Sequence, residues 1–185
     1  FYPDSWIALL VKPWVVPVFE QNPHIDEIIV YQNRGRHKMG IGTLNLAKDL
    51  RKENFDAAFL MQNAFEAALI TWLAAIPFRI GYNTDVRSAL LNPSIKLNPL
   101  LKKKHLIDYY KGILHGISIP DDGNELDLIL TDDERVSAEI FLNDLGIEFP
   151  CIGINPGATG ATAKRWLPEH FAKLAERYHN IFFHS

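Results

Sequence analysis

Cysteine is almost absent. The 185 residues contain one, Cys151, which excludes an internal disulfide framework. Its position directly before Ile-Gly-Ile reads as a small apolar residue at the start of a buried strand. An excess of one charge is lacking as well: 19 Lys and Arg against 22 Asp and Glu leave a net charge of -3. That is not the strongly basic footprint of a dedicated nucleic-acid binder, so no nucleic-acid partner is expected. Long hydrophobic runs are missing too. The longest nearly uninterrupted one, Ala67 to Ile76, is about half the ~20 residues that cross a bilayer, and no charged leader precedes an apolar segment near Phe1. The seven histidines form neither HExxH nor a Cys/His pair at ligand spacing, so no metal and no cofactor are expected.

What is present suits a folded chain. A hydrophobic content of 48% with 22% charged residues is close to the globular average and excludes disorder. The length is one average domain and a remainder. The chain begins at Phe1 rather than Met and stops just after the apolar Ile181-Phe182-Phe183, so it is expected to be a piece of a longer protein.

Short apolar runs alternate with helical periodicity, the sequence sign of an α/β fold around parallel sheets. Strands are expected at Trp6 to Val11, Asp26 to Tyr31, Ala57 to Met61 and Phe78 to Gly81, the second of them buried on both faces. A short helix is expected over Trp14 to Glu20 and a longer one around Leu44, Ala47 and Leu50, after a polar loop at 34–42. Asn63 with Glu66 three residues on reads as a capping box opening a helix that Pro77 ends. Tyr82 to Pro99 reads as a long polar loop, and Lys104 to His115 as a helix closed by Gly116, with Lys102-Lys103-Lys104-His105 at its start.

From Asp121 to Glu148 ten acidic residues face the single basic Arg135. Thr131-Asp132-Asp133-Glu134 fits a capping box before Val136, Ile140 and Phe141, with Gly146 as the stop, so the acid run reads as a solvated helix face and its first turn. A domain boundary is expected at 147–150, dividing a unit at 1–146 from the start of a second at 151–185. In the second, Cys151 to Asn155 reads as a strand, Pro168 to Tyr178 as a helix buried through Phe171, Leu174, Ala175 and Tyr178, and Ile181 to His184 as the next strand.

The chemistry concentrates in Asn155-Pro-Gly-Ala-Thr-Gly-Ala-Thr-Ala-Lys-Arg-Trp166. A Gly, Ala and Thr loop between a strand and a helix lets backbone N–H groups approach an anion, with Thr hydroxyls and a Lys ammonium to complete the site. Phosphate is the natural ligand; an ordinary glycine turn with surface Lys and Arg is the other reading. The loop is neither a P-loop nor a G-x-G-x-x-G fingerprint, which disfavours a nicotinamide-dependent oxidoreductase.

Pro-Gly-Ala, a short Gly/Thr spacer and Ala-Lys-Arg-Trp-x-Pro-Glu-x-Phe-Ala together resemble the signature of glycosyltransferase family 9, the lipopolysaccharide heptosyltransferases. Leu-Leu-Val-Lys-Pro-Trp (9–14), Asn-Pro-His-Ile-Asp-Glu-Ile-Ile-Val (22–30), Gln-Asn-Ala-Phe (62–65) and Arg-Ile-Gly-Tyr-Asn-Thr-Asp (79–85) resemble its type II branch. The resemblance covers essentially the whole chain. It implies a GT-B fold of two Rossmann-like domains, acceptor on the first and nucleotide sugar on the second. It further implies inverting transfer of heptose from ADP-L-glycero-D-manno-heptose to the inner-core oligosaccharide on lipid A. The same resemblance implies a cytoplasmic enzyme with peripheral contact at the inner membrane face.

By that resemblance Lys164 contacts the donor phosphate, with Thr159 and Gly160 beside it facing the diphosphate, and Trp166 packs under the loop. The family's catalytic aspartate follows the first strand in a Gly-Asp loop expected upstream of Phe1. No catalytic base is therefore assigned in this chain, and the 185 residues alone are expected not to transfer heptose. A non-catalytic nucleotide-sugar or phosphate-binding module is the alternative. On the acceptor side, Asn63 follows a strand at the C-terminal edge of a parallel sheet, where open α/β folds bind ligands, so an acceptor role stands beside helix capping. Lys102, Lys103 and Lys104 suit acceptor phosphates, an anionic membrane face, or a solvated helix start. Arg87 reads either as an acceptor contact or as a solvated loop residue.

Overall fold

A computed structural model describes residues 3–38, 40–121, 123–147, 151–158 and 165–182, of which 179–182 are described by backbone alone. The chain divides into two compact units, Phe1–Thr131 and Asp132–Ser185.

In the first unit, β1 (Ala8–Val11) pairs in parallel with β2 (Glu27–Val30), and β3 (Ala57–Phe59), β4 (Phe78–Tyr82) and β5 (Ser94–Ile95) form a parallel three-stranded sheet in that order. A 3-10 turn at Pro13–Val15 and helix α1 (Val16–Phe19) connect β1 to β2; α2 (Ile41–Lys52) follows β2 and α3 (Phe65–Leu73) joins β3 to β4. The parallel α/β class expected from the alternating pattern is the class observed. Parallel neighbours need such crossovers because a tight hairpin turn reverses the chain.

Helices α2 and α3 hold the first core. Leu46, Ala47 and Leu50 meet Ile70, Ala74 and Ile76, and Ile29 of β2 and Tyr31 just past it pack on the same cluster as Ala58 of β3. Each fully buried Leu or Ile contributes about 1.5–3 kcal/mol. Helix α4 (Leu106–His115) builds the second core, laying Ile113 and Tyr109 against Ile80, Tyr82 and Ile95. That packing is close because glycines line it: a Cβ on Gly112 would stand 2.2 Å from the Tyr82 hydroxyl, and one on Gly116 would stand 2.5 Å from Ile95 Cγ2.

Several expectations are corrected. Tyr82 to Pro99 is not all loop: β5 lies within it, too short for a two-residue alternation to register. β2 is not buried on both faces, since Glu27 is exposed and its other residues are half-buried; β3 likewise exposes Ala57 and Phe59. Helix α4 does end at His115 with Gly116 as its C-cap, as expected, but it starts at Leu106 rather than Lys104, and the left-handed residue that turns the chain is Ser118 at φ 60°. Lys102 and Lys103 belong to a separate 3-10 turn at Pro99–Lys103, and His105 caps α4 by accepting the Ile107 N–H at 3.3 Å. At the end of α3, Ala75 takes φ 59° and Ile76 N–H reaches Thr71 O, a Schellman closure completed before Pro77.

In the second unit, α5 (Asp132–Asp144) ends as expected at Gly146, which takes φ 67° while Ile147 N–H bonds Leu142 O at 3.0 Å. Val136, Ile140 and Phe141 nonetheless remain more than half exposed. Cys151 to Asn155 joins no ladder among the described residues, because a strand exists only with a partner, and Cys151 is exposed rather than buried. Helix α6 (Pro168–Phe182) starts at Pro168 but continues through Ile181 and Phe182, where a strand was expected. Phe171 and Leu174 are half-buried, whereas Ala175 and Tyr178 are exposed. Of the expected linker at 147–150, residues 148–150 lie outside the described residues.

Candidate functional site

The C-terminal edge of β3–β4 carries a closed polar knot. Past β3 the chain turns at Gln62-Asn63 and enters α3; past β4 it turns through Asn83 to Arg87. Arg87 is fully buried, at 0% exposure. Its Nε–H donates to Tyr82 O at 2.9 Å, Nη1 donates to Gln62 O, and Nη2 donates to Asn63 Oδ1 at 3.1 Å. Asn63 completes the chain by donating from Nδ2 to the Tyr109 hydroxyl at 2.6 Å. Tyr109 lies tilted against Tyr82, ring centroids 5.0 Å apart, and the Tyr82 hydroxyl donates to Tyr109 O at 2.5 Å. Gly81 leaves the room: a Cβ there would lie 3.4 Å from Arg87 Nη2.

Burial pushes the Arg87 guanidinium below its usual range, with Asp85 and Tyr109 acting the other way; a guanidinium stays protonated regardless. Burial, with Tyr109 adding to it, raises the Tyr82 hydroxyl. The knot fixes two successive strand ends and the middle of α4 to one cation whose hydrogen bonds all go to neutral acceptors. Both readings offered for Arg87 are thereby corrected, since it is neither a solvated loop residue nor open to an acceptor. Asn63 is not a helix cap either: α3 begins after Ala64 without a side-chain cap, because the Asn63 amide is spent on Arg87 and Tyr109. Glu66 accepts from Thr43 Oγ1 at 2.9 Å instead of reaching back. Tyr109 was missed by sequence reasoning; its spacing of four from Ile113 on a buried helix face was the available signal.

A second knot pins the loop before α2. Arg36 grips Asp49 through Nε at 2.9 Å and Nη2 at 2.8 Å, Lys52 adds a bond at 3.1 Å, and buried His37 stands 3.3 Å from the same carboxylate. The Gln32 N–H donates to His37 Nδ1, so the other ring nitrogen carries the hydrogen toward Asp49. Asp49 is held well below the usual carboxylate range, first by the Arg36 hydrogen bond and then by those from His37 and Lys52.

Of the remaining acceptor-side residues, Lys102 and Lys104 are exposed and enter no ion pair among the described residues. Among the described residues no three His, Cys, Asp or Glu side chains gather at metal-binding distance.

In the second unit the glycine loop is entered through a turn in which Asn155 Oδ1 accepts the Gly157 N–H at 3.1 Å. Arg165 donates from Nε to Ala158 O at 3.1 Å, tying together the residues on either side of 159–164. Asn155, Pro156, Gly157, Ala158 and Arg165 line an open concavity. Trp166 packs on the start of α6, stacked on His170 at 5.0 Å and edge-on to Phe171 at 5.2 Å. Lys164, Thr159 and Gly160 lie outside the described residues.

The sequence profile of glycosyltransferase family 9 (heptosyltransferase) matches residues 43–181, spanning both the Arg87 knot and the glycine loop. The chain belongs to glycosyltransferase family 9. Lipopolysaccharide heptosyltransferase 2 of Salmonella typhimurium is 30% identical over 97% of the chain and 53% of its own length, and its Escherichia coli K12 counterpart is 31% identical over 95% and 52%. The chain thus spans about half the length of the curated relatives it matches. Among solved structures, the family 9 glycosyl transferase of Veillonella parvula superposes with TM-score 0.82 at 24% identity, covering 97% of this chain and 52% of that one. E. coli ADP-heptose lps heptosyltransferase II superposes with TM-score 0.70 at 25% identity, covering 97% and 54%. The GT-B fold expected of a family 9 member is therefore the fold to which this chain belongs.

Proposed function

We propose that the protein carrying this chain transfers L-glycero-D-manno-heptose from its ADP donor to the inner core of lipopolysaccharide, with inversion, on the cytoplasmic side of the inner membrane. The observation that carries this reading is the family 9 match, which runs through the Asn155–Trp166 loop, supported by relatives named for lipopolysaccharide heptosyl transfer. In this reading residues 1–146 serve the acceptor, 147–150 link, and 151–185 begin the donor unit.

Transfer forms a bond from the acceptor oxygen to the anomeric carbon while the bond to the β-phosphate of ADP breaks. The acceptor proton goes to a carboxylate base, which the family resemblance places before Phe1. Charge grows on the departing diphosphate, and Lys164 with Thr159 and Gly160 is assigned to stabilise it. The Asn155 turn and the Arg165 tie set the approach to that loop. Asn63 and Arg87 serve the acceptor side by positioning the β3 and β4 ends rather than by touching sugar.

The test is ADP release by the full-length protein given ADP-heptose and a heptose-deficient inner-core acceptor. Lys164→Ala is expected to lower kcat/KM by roughly 10²–10³-fold. Donor binding without turnover by a protein that contains the upstream Gly-Asp loop would replace this reading with the phosphate-binding module.

A further inference from the structure

Between Lys96 and Ile107 the chain carries four lysines and no acidic residue, within a sequence whose net charge is -3. Lys96, Lys102, Lys103 and Lys104 are all exposed, and none is ion-paired among the described residues. Two large apolar side chains bracket the triplet in the open: Leu100 is 66% exposed and Leu106 is 66% exposed, with Tyr110 one helical turn beyond Leu106.

The local fold explains why they stand in the open. Leu101 is pinned inward, its Cδ1 2.7 Å from where a Gly112 Cβ would be, in the core with Ile113 and Tyr82. At three residues per turn, anchoring Leu101 sends Leu100 and Lys103 to one outer side and Lys102 to the other. Both ends of the elbow are capped: Asn98 Oδ1 accepts the Leu100 N–H at 3.0 Å, and His105 caps α4. Leu106 and Tyr110, four residues apart, both stay exposed on α4, Leu106 because it opens the helix ahead of the turns that Tyr109 and Ile113 anchor in the core.

We propose that this elbow, 96–110, is a docking surface for an anionic lipid bilayer, the lysines meeting headgroup phosphates while Leu100 and Leu106 enter the boundary of the acyl region. Charge complementarity selects a polyanion, and the flanking leucines select a bilayer among polyanions, because a soluble sugar phosphate gives an exposed leucine nothing to bury against. No described helix is long and apolar enough to cross a membrane, so the contact lies in the interface. The surface rests on the exposure and charge of 96–110 and not on heptose transfer.

Vesicle co-sedimentation of the full-length protein tests it, with phosphatidylcholine vesicles doped or not with phosphatidylglycerol. Binding is expected to the doped vesicles alone and to weaken with salt. Lys102→Gln with Lys104→Gln should lower the partition constant roughly 25-fold, about fivefold per lysine. Leu100→Ser with Leu106→Ser should lower it at least roughly tenfold at unchanged charge. Lys48→Gln with Arg51→Gln, exposed cations on α2, makes the same charge change elsewhere and should leave binding intact. All six positions are exposed, so equal thermal unfolding is expected, and a pair that shifts it is replaced by its single variants. No binding to doped vesicles, equal loss in the α2 pair, full binding by the leucine pair, or complete competition by a delipidated phosphorylated oligosaccharide would each overturn the proposal. ADP release that continues without any vesicle binding would overturn it while sparing the transferase reading; vesicle binding without ADP release would do the reverse.

Discussion

The Arg87 knot and the Asn155 turn both sit where a strand-like segment gives way to a loop, yet they are built in opposite ways. Arg87 is wholly buried and bonded to residues 5, 24 and 25 positions away. Asn155 is exposed and bonded two residues on. The first is held by tertiary packing and holds the fold in return; the second is local geometry that a short peptide could adopt. A long-range buried knot is expensive to break and tolerates no drift, which suits the floor of a site. An exposed turn of small residues gives way cheaply, which suits a loop proposed to close on a diphosphate.

Replacing Arg87 by Ala is the largest expected break in this contrast. It leaves Tyr82 O, Gln62 O and Asn63 Oδ1 without a donor in a site closed to water, and a loss of about 3–5 kcal/mol in urea unfolding is expected. Arg87→Lys should recover only part of it, since one ammonium cannot span three acceptors in a fork. A loss under 1 kcal/mol for Arg87→Ala would mean that the knot is wet and the contrast wrong.

Gly112→Ala tests the same knot from its far side. The added methyl would meet the Tyr82 hydroxyl and Leu101 Cδ1, forcing the Tyr82–Tyr109 pair apart. Overpacking of this kind costs about 1–3 kcal/mol, against the ~1 kcal/mol that Ala gains over Gly in a helix, so a net loss of about 1–2 kcal/mol is expected by thermal unfolding. Equal or higher stability would show that α4 can retreat.

These two positions also mark what the sequence could and could not say. The parallel α/β class and most helices were legible because hydrophobic period and turn chemistry are local signals. Arg87 was not, because nothing in Asp85-Val86-Arg87-Ser88 separates a solvated arginine from one whose partners lie 24 and 25 residues upstream. Asn63 was misread for a related reason: three residues before Glu66 it matches a helix cap, and only the arrival of Arg87 and Tyr109 diverts its amide. β5 escaped because two residues carry no period. The Cys151 segment was read as a strand because its apolar pattern is strand-like, although a ladder needs a neighbour that the pattern does not supply.

Asp49 stands between the two extremes, with its side chain 28% exposed and bonds to Arg36, His37 and Lys52. Its acidity is raised in the folded state, so its contribution is fully present above the ordinary carboxylate range and is lost as pH falls through the depressed folded value. Asp49→Asn is expected to destabilise by about 1 kcal/mol near neutral pH, discounted for exposure, with the difference from wild type shrinking in strong acid. A difference that grew on acidification would mean that the ion cluster is not the source.

Asn155→Ala should have the smallest effect on folding and the most selective effect on chemistry. The side chain is exposed and holds one backbone N–H, so unfolding should shift by about 0.5 kcal/mol or less. That N–H belongs to Gly157, two residues before the segment assigned to the donor diphosphate, and releasing it frees the approach to the loop. If the protein transfers heptose as proposed, loss of that pre-organisation should raise the donor KM roughly tenfold while kcat changes less, because the acceptor base and the Arg87 floor are untouched. A destabilisation as large as that of Gly112→Ala would make the turn a structural element like the knot. An unchanged KM beside a Lys164→Ala variant that loses activity would show that Lys164 finds the phosphate without help from the turn.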